Sequence, residues 1–397
     1  MLKNYTFTIK NCIITVIFAT FYLNQGPTYK ELKNINPSFS RVAIKVGSNI
    51  IAKEDGSLNT GRMLRIVEEV AILHKNNIEV ILITSGAVAA GRNEVTPSKK
   101  TSIISSRQIW AAIGQVKLMG TYQFLFDKYG IQAGQLLATK DSFRDRMHYL
   151  NMKNCISAML DNKVLPVVNE NDTISITELM FTDNDELSGM ISSMMNCGSL
   201  IILSNVDGIY TGKPGCKDSH LIREVSAGTD SLSKYISSSK SGYGRGGMLT
   251  KYAVARKTAS EGIDVYIANG TRDSIITGII RRKDVPCTKF VAADKKKTGV
   301  KKWLSHSETF AKGIVYINRG AREALMGDKA SSLLMIGVSK VEGFFKKGDI
   351  IRIFDDAGRQ IGIGKSQYDS EKVELYMGEK RKKPLVHYDY LLINEKN

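Results

Sequence analysis

At 397 residues, with 43% hydrophobic and 24% charged side chains, the chain is long and apolar enough for two folded domains and a full-sized core, which excludes disorder over most of its length. A formal charge of +17 favours polyanionic company, whether RNA, anionic lipid or a polyphosphate nucleotide, without choosing among them. The five cysteines, Cys12, Cys155, Cys197, Cys216 and Cys287, are far apart, odd in number and free of any CxxC pair; this argues against a disulfide framework or a zinc site and fits a reducing, cytoplasmic compartment.

In chain order, Lys3 and Lys10 precede an apolar stretch from Cys12 to Leu23 that has the look of a secretory core segment. It is too short to span a bilayer, which takes ~20 residues, and no clear small-x-small cleavage site follows before Gln25-Gly26. Two readings of residues 1–40 stay open, a targeting segment or a non-functional extension.

From Arg41 the pattern becomes an alternation of short apolar runs and longer helical stretches. That alternation predicts an α/β domain, an open and mostly parallel sheet sandwiched by helices, over residues 41–292. Strands are expected at Val42–Val46, Glu79–Thr84, from Ile131, at Val164–Val168, at Leu200–Leu203 and, as the last of the domain, at Asp264–Ala268. Helices are expected at Gly61–Asn76, Ser106–Tyr129, Tyr149–Asp161, Glu186–Met195 and Gly247–Glu261. In the second of these, Ile109, Ile113, Val116 and Met119 recur on one side and predict its apolar face. Lysines at 295–297 and 301–302 mark a basic linker over 293–308. Beyond it, Gly313–Ile317, Asp349–Phe354 and Gln360–Lys365 read as strands of a small β-rich domain over 309–397.

Glycine or small hydroxyl residues follow three strand ends: Gly47-Ser48, Ser85-Gly86 and Ser204-Asn205. In open α/β sheets ligands bind outside the carboxyl ends of strands, and such turns let backbone N–H groups approach a phosphate. Each turn alone is common. No GxxxxGK[ST] loop is present, and no HRD or DFG element, which disfavours the P-loop and protein kinases. Acids and amides crowd Asn169–Asp172 and Asp183–Glu186, a cluster that calls for a cation among them, be it a substrate ammonium, lysines or Mg²⁺. A solvated acidic loop, with Asp183 as a helix cap, is the alternative. Gly242-Tyr243-Gly244-Arg245-Gly246-Gly247 then runs into a helix that carries Lys251, a phosphate cradle followed by a point charge.

The stretches VAIKVGSNI, VILITSGAVAAGR, AAIGQVKLM, LPVVNEND, FTDNDELS and GRGGMLTK, in this order and spacing, resemble the amino-acid kinase family in its glutamate 5-kinase branch. The region Gly313–Leu392 resembles the PUA domain that many members of that branch carry. The resemblance implies ATP-dependent phosphorylation of the L-glutamate side chain, the first step of proline biosynthesis. The attacking carboxylate is already ionised near neutral pH, its ordinary pKa being ~4.3, so the reaction needs positive charge at the transferring group rather than a general base.

By the same carry-over, Lys45 and Lys251 clamp the transferring phosphoryl group and Asp185 organises them. Ser85, Asp172, Asp183 and Asn184 hold the amino acid. Lys45, Gly47, Ser204, Asn205 and the run Arg245, Gly246, Gly247, Met248, Leu249, Thr250 and Lys251 hold ATP, whose Mg²⁺ keeps water and phosphate ligands instead of a protein cage. Ser204-Asn205 stands where the branch commonly has Thr-Asp, and Arg245 where a small hydroxyl residue is frequent, which puts the grip on base or ribose in question. Proline as feedback inhibitor, glutamyl-phosphate reductase as partner and a homo-oligomer are further implications. Two rival readings remain: an RNA-binding protein working through its PUA-type domain, the lysine-rich linker and Lys380–Lys383, or a degenerate kinase fold kept for regulation.

Overall fold

Side-chain parity along the first strand decides what reaches the site. In β1 (Arg41–Val46), Val42, Ile44 and Val46 enter one apolar layer and Ala43 the other, the two-residue period of a strand buried on both faces. Lys45 shares the parity of Ala43, so it projects on the second layer's side. β2 (Glu79–Ile83) repeats the division, with Val80 and Leu82 in the first layer and Ile81 and Ile83 in the second. The computed structural model describes residues 39–174, 184–212, 215–216, 218–226, 247–294, 299–327 and 331–394. The N-terminal extension up to residue 38, and its apolar stretch, lie outside them.

The remaining strands are β3 (Ala133–Ala138), β4 (Leu165–Glu170), β5 (Ser199–Ser204), β6 (Glu224–Val225), β7 (Asp264–Asn269) and β8 (Cys287–Phe290). They complete an eight-stranded sheet in the order β3-β4-β2-β1-β5-β7-β8-β6, parallel from β3 through β7. β8 runs antiparallel to β7, so Asp264–Asn269 is not the last strand of the domain as its apolar run suggested. Only four residues long, with Lys289 in it, β8 carries too little apolar signal to stand out.

Helices α1 (Ser48–Ile51), α2 (Thr60–Lys75), α3 (Ala87–Arg92), α4 (Ile103–Asp127), α5 (Arg146–Asp161), α6 (Asn184–Met194), α7 (Met248–Ser260), α8 (Ile275–Ile280) and α9 (Gly299–Ser305) cover the two faces. In α4 three of the four residues of the expected apolar face point outward: Val116 is 76% exposed, Ile109 and Ile113 are exposed too, and Met119 alone packs against the core. Ala111, Gly114, Leu118, Tyr122 and Phe126 turn inward instead. Small residues explain the rotation, since a Cβ on Gly114 would lie 1.8 Å from the Ala87 carbonyl oxygen and one on Gly91 1.8 Å from that of Trp110. Backbone-to-backbone approach of α3 and α4 selects the glycine side, and apolar periodicity alone points the wrong way.

The carboxylate of Glu69 on α2 accepts the N–H and hydroxyl of Thr277, in the first turn of α8, at 2.8 and 3.0 Å. Burial nonetheless pushes its pKa up to about 7, against the downward pull of those bonds. An acid whose folded pKa exceeds its unfolded value withdraws stability as pH rises between the two. Glu69→Gln is therefore expected to gain about 2–3 kcal/mol relative to the parent chain between pH 5 and pH 8, measured by chemical unfolding across that range; a constant difference would reject the assignment.

Within the stretch expected as a basic linker, α9 is buried: Trp303 is 2% exposed, Leu304 is fully covered, and the Trp303 indole N–H donates to the Phe143 carbonyl at 2.9 Å. The C-terminal domain is a five-stranded sheet of β9 (Gly313–Ile317), β10 (Val338–Glu342), β11 (Ile350–Asp355), β12 (Gln360–Lys365) and β13 (Leu391–Ile393), in the order β10-β9-β11-β12-β13. Its core joins Val315, Ile317, Phe345, Ile351 and Ile353. Among the described residues no helix is long and apolar enough to cross a membrane.

Candidate active site

Because β4, β2, β1 and β5 are neighbours and parallel, their carboxyl ends open on one edge of the sheet. Asp172, Ser85, Lys45 with Gly47, and Ser204 with Asn205 lie at or just beyond those ends in that lateral order. The edge thus has Lys45 in the middle, with the candidate amino-acid residues on one side and the candidate nucleotide residues on the other.

Lys45 meets the first turn of α6, which packs on the second face of the sheet through Leu187, Met190, Ile191 and Met194. Asp185 Oδ1 lies 2.6 Å from Lys45 Nζ, and Asp185 Oδ2 accepts from Lys251 Nζ at 2.9 Å. Lys251 comes from the first turn of α7. The three residues are 3%, 0% and 8% exposed for Lys45, Asp185 and Lys251. Charges so deeply withdrawn from water are tolerated only when closely paired, and one carboxylate between two ammonium groups leaves the cluster with a net positive charge. A Cβ on Gly47 would stand 3.7 Å from Lys45 Nζ, so the glycine keeps the approach to that ammonium open.

On the β2 and β4 side, Gly86 adopts φ +99°, a left-handed turn that a side chain disfavours, and Ser85 precedes it. Asn184 Nδ2 donates to Ser85 Oγ at 3.0 Å. Asn184 Oδ1 is buried without a hydrogen-bond partner among the described residues, an acceptor costly to leave unmet. Asp172 Oδ1 is held by the Arg107 guanidinium at 2.7 Å, and Gln108 Nε2 donates to the Thr173 carbonyl at 2.7 Å. Asn169 is fixed by Gln115 at 2.8 Å. Sequence reasoning missed Arg107 and Gln108, which carry no motif of their own and sit near the start of an apolar helix. Arg107→Leu is expected to raise KM for the proposed amino-acid substrate about tenfold, because Asp172 loses the bond that positions it. Steady-state kinetics with each substrate varied separately test this; an unchanged KM would reject it.

On the candidate nucleotide side, Ser204 is 8% exposed, with Oγ 3.4 Å from Asn205 Oδ1. Gly247 leads into α7, where Met248 and Thr250 are half-buried and Leu249 is exposed. Beyond them, Asp207 accepts two bonds from Arg272, one at 2.8 Å, and one from Tyr210 at 3.1 Å. The Arg272 bond is the main reason its carboxyl is held below the usual range. Asp183, Arg245 and Gly246 lie outside the described residues. No group of three or more His, Cys, Asp or Glu side chains among the described residues is placed to hold a metal ion.

Comparison with known proteins places the chain in a family. Residues 40–269 match the amino acid kinase family and residues 313–388 match the PUA domain. The chain is 52% identical over 356 residues to the glutamate 5-kinase of Bacteroides thetaiotaomicron, covering 89% of this chain and 99% of that one. It is 46% identical over 359 residues to the glutamate 5-kinase of Chlorobaculum tepidum, covering 90% and 98% of the two chains. With the glutamate 5-kinase of Serratia marcescens it shares 34% identity over 338 residues, 85% of this chain and 91% of that one.

Proposed function

The chain belongs to the amino acid kinase family, in its glutamate 5-kinase branch, and from that premise we propose that it transfers the γ-phosphoryl group of ATP to the side-chain carboxylate of L-glutamate, giving L-glutamyl 5-phosphate and ADP. The observation that carries this reading is the bridge of Lys45 and Lys251 through the buried Asp185, at 2.6 and 2.9 Å, on the sheet edge between the two half-sites. A carboxylate oxygen attacks Pγ, the bond from Pγ to the β–γ bridging oxygen breaks, and ADP leaves with that electron pair. No proton has to move. The difficulty is bringing an anion to a polyphosphate, and two preorganised ammonium groups answer it by matching the charge spread over the phosphoryl oxygens.

Asp172 and the unmet Oδ1 of Asn184 suit the substrate ammonium, with Ser85 and the expected Asp183 completing that half-site. Ser204, Asn205 and the run from Arg245 to Lys251 are assigned to the nucleotide. Mg²⁺ travels on the ATP phosphates, keeping mostly water and phosphate oxygens as ligands. Trapping the acyl phosphate as its hydroxamate, across glutamate, acetylglutamate, aspartate, carbamate and UMP, tests the assignment. Product with glutamate and Mg²⁺-ATP alone is expected, and preference for another acceptor would overturn it.

Self-association belongs to the same proposal and has a surface to use, the outward row of Ile109, Ile113, Val116 and Phe124 on α4. Val116→Lys with Phe124→Lys is expected to lower the solution mass toward one chain in light scattering, whereas an unchanged mass would exclude this face. Inhibition by proline and delivery of the product to glutamyl-phosphate reductase are the regulatory and partner expectations that follow from the branch. The PUA domain supports a second activity, RNA binding, that coexists with the kinase; binding that is tight and steeply salt-dependent is its signature, and weak binding reflects net charge alone.

A further inference from the structure

The two helices that deliver Asp185 and Lys251 are tied together a second time at their far ends. α6 and α7 approach so closely midway that a Cβ on Gly189 would lie 2.8 Å from Thr258 Oγ1 and 3.0 Å from Val254 Cγ1. At the catalytic end the tie is Asp185 to Lys251. At the other end it is Ser193 of α6, whose hydroxyl donates to the carboxylate of Glu261, the residue that closes α7.

Glu261 is fully buried and serves as a hub rather than a simple cap. Besides Ser193, it accepts the Ser305 hydroxyl at 2.6 Å and faces His306 Nε2 at 3.2 Å, both from the segment between the two domains. Burial by itself would raise its pKa, yet the charge and hydrogen bond of His306, with the two serine hydroxyls, hold it at about 2. The same segment is fastened again just before the hub residues. Lys302 Nζ donates to Asn196, just past the end of α6, at 3.0 Å, and Trp303 bonds to Phe143. The Arg146 guanidinium lies over the Trp303 and Tyr149 rings. From its other side α9 meets β13 and the turn Tyr388–Tyr390, and Ile350 and Ile363 of the C-terminal sheet share one apolar cluster with Trp303 and Leu304.

We infer that Glu261 is a positioning residue for the lysine pair, the point at which the interdomain segment, seated on the C-terminal domain, locks the far ends of α6 and α7 and so fixes Lys251 against Asp185 at the other. No step of the chemistry passes through Glu261. The mechanical link is two packed helices, each pinned at both ends. A rigid support of this kind is what a site needs when a displacement of about an ångström costs orders of magnitude in rate.

The inference rests on the kinase reading for its meaning, but its test also has a readout independent of turnover. Lys251 is shielded by its bond to Asp185, so its rate of reaction with a small amine-acetylating reagent, followed by mass spectrometry on the full chain, reports the fit of that pair. Glu261→Gln and His306→Leu are expected to speed labelling of Lys251 about tenfold and to lower kcat for hydroxamate formation by a similar factor, with both KM values within about twofold. His306→Gln, which keeps a donor toward Glu261, should stay near the parent chain. Ser305→Ala, which removes one bond from the hub, should fall between, and it serves where Glu261→Gln does not fold. Glu69→Gln, a buried glutamate in the opposite layer, is the control and should leave Lys251 unchanged. Parent-like labelling in both Glu261→Gln and Ser305→Ala, or equal labelling in the control, would overturn the proposal. If labelling changes as expected while no variant or parent phosphorylates glutamate, the hub stands and the acceptor assignment fails.

Discussion

Lys45→Ala and Lys251→Ala are each expected to lower kcat for glutamate-dependent hydroxamate formation by about 10³-fold or more, with the melting temperature reduced only modestly. The size follows from what each ammonium does. A single donor aimed at developing charge is worth about 10²–10³ in kcat, and a full positive charge on a transferring phosphoryl group about 10³–10⁵. The modest stability loss follows from the geometry, because removing one lysine leaves Asp185 bonded to the other at 2.6 or 2.9 Å. Lys251→Arg should not rescue the rate. The planar guanidinium is larger than the ammonium and would have to enter a position that is 8% exposed. Single-turnover measurements with saturating ATP separate this loss from weakened binding. A Lys45 or Lys251 variant retaining more than a tenth of the parent rate would remove the lysine from the chemistry.

How much of this was legible beforehand differs from residue to residue. Lys45 at the end of an apolar run and Lys251 just after a glycine-rich turn were visible, because strand period and helix onset are local properties of the chain. Their meeting was not local. It depends on β1 lying between β2 and β5 and on α6 covering the face toward which Lys45 points, and strand order is written in no single segment. Arg107 was invisible for the same reason, since its partner Asp172 is brought to it only when α4 crosses the end of β4. The misassigned face of α4 has another cause. Large apolar residues marked one side, but Gly91 and Gly114 permitted a backbone contact that no side-chain pattern outweighs. The lysine-rich stretch misled through composition, as Lys302 is buried and Trp303 beside it anchors α9.

Asp185→Ala should be the most damaging change to the fold among the candidate site residues. The carboxylate is fully buried, and its loss would take away the bridge that holds the ammonium groups of Lys45 and Lys251, 3% and 8% exposed, to one another. Breaking a buried pair in this way costs about 3–5 kcal/mol, chiefly because charge is stranded away from water. The rate should fall as well, by about 10³-fold, since repelled lysines no longer converge on one phosphoryl group. The two losses separate in a double-mutant cycle. If Asp185 works by holding the two ammonium groups together, then removing it from a chain that already carries Lys251→Ala should cost far less in kcat than removing it from the parent, because groups that act as a unit are not additive. Equal costs in the two backgrounds would mean that Asp185 acts on the reaction independently of Lys251, and the bridge would then be a feature of stability alone.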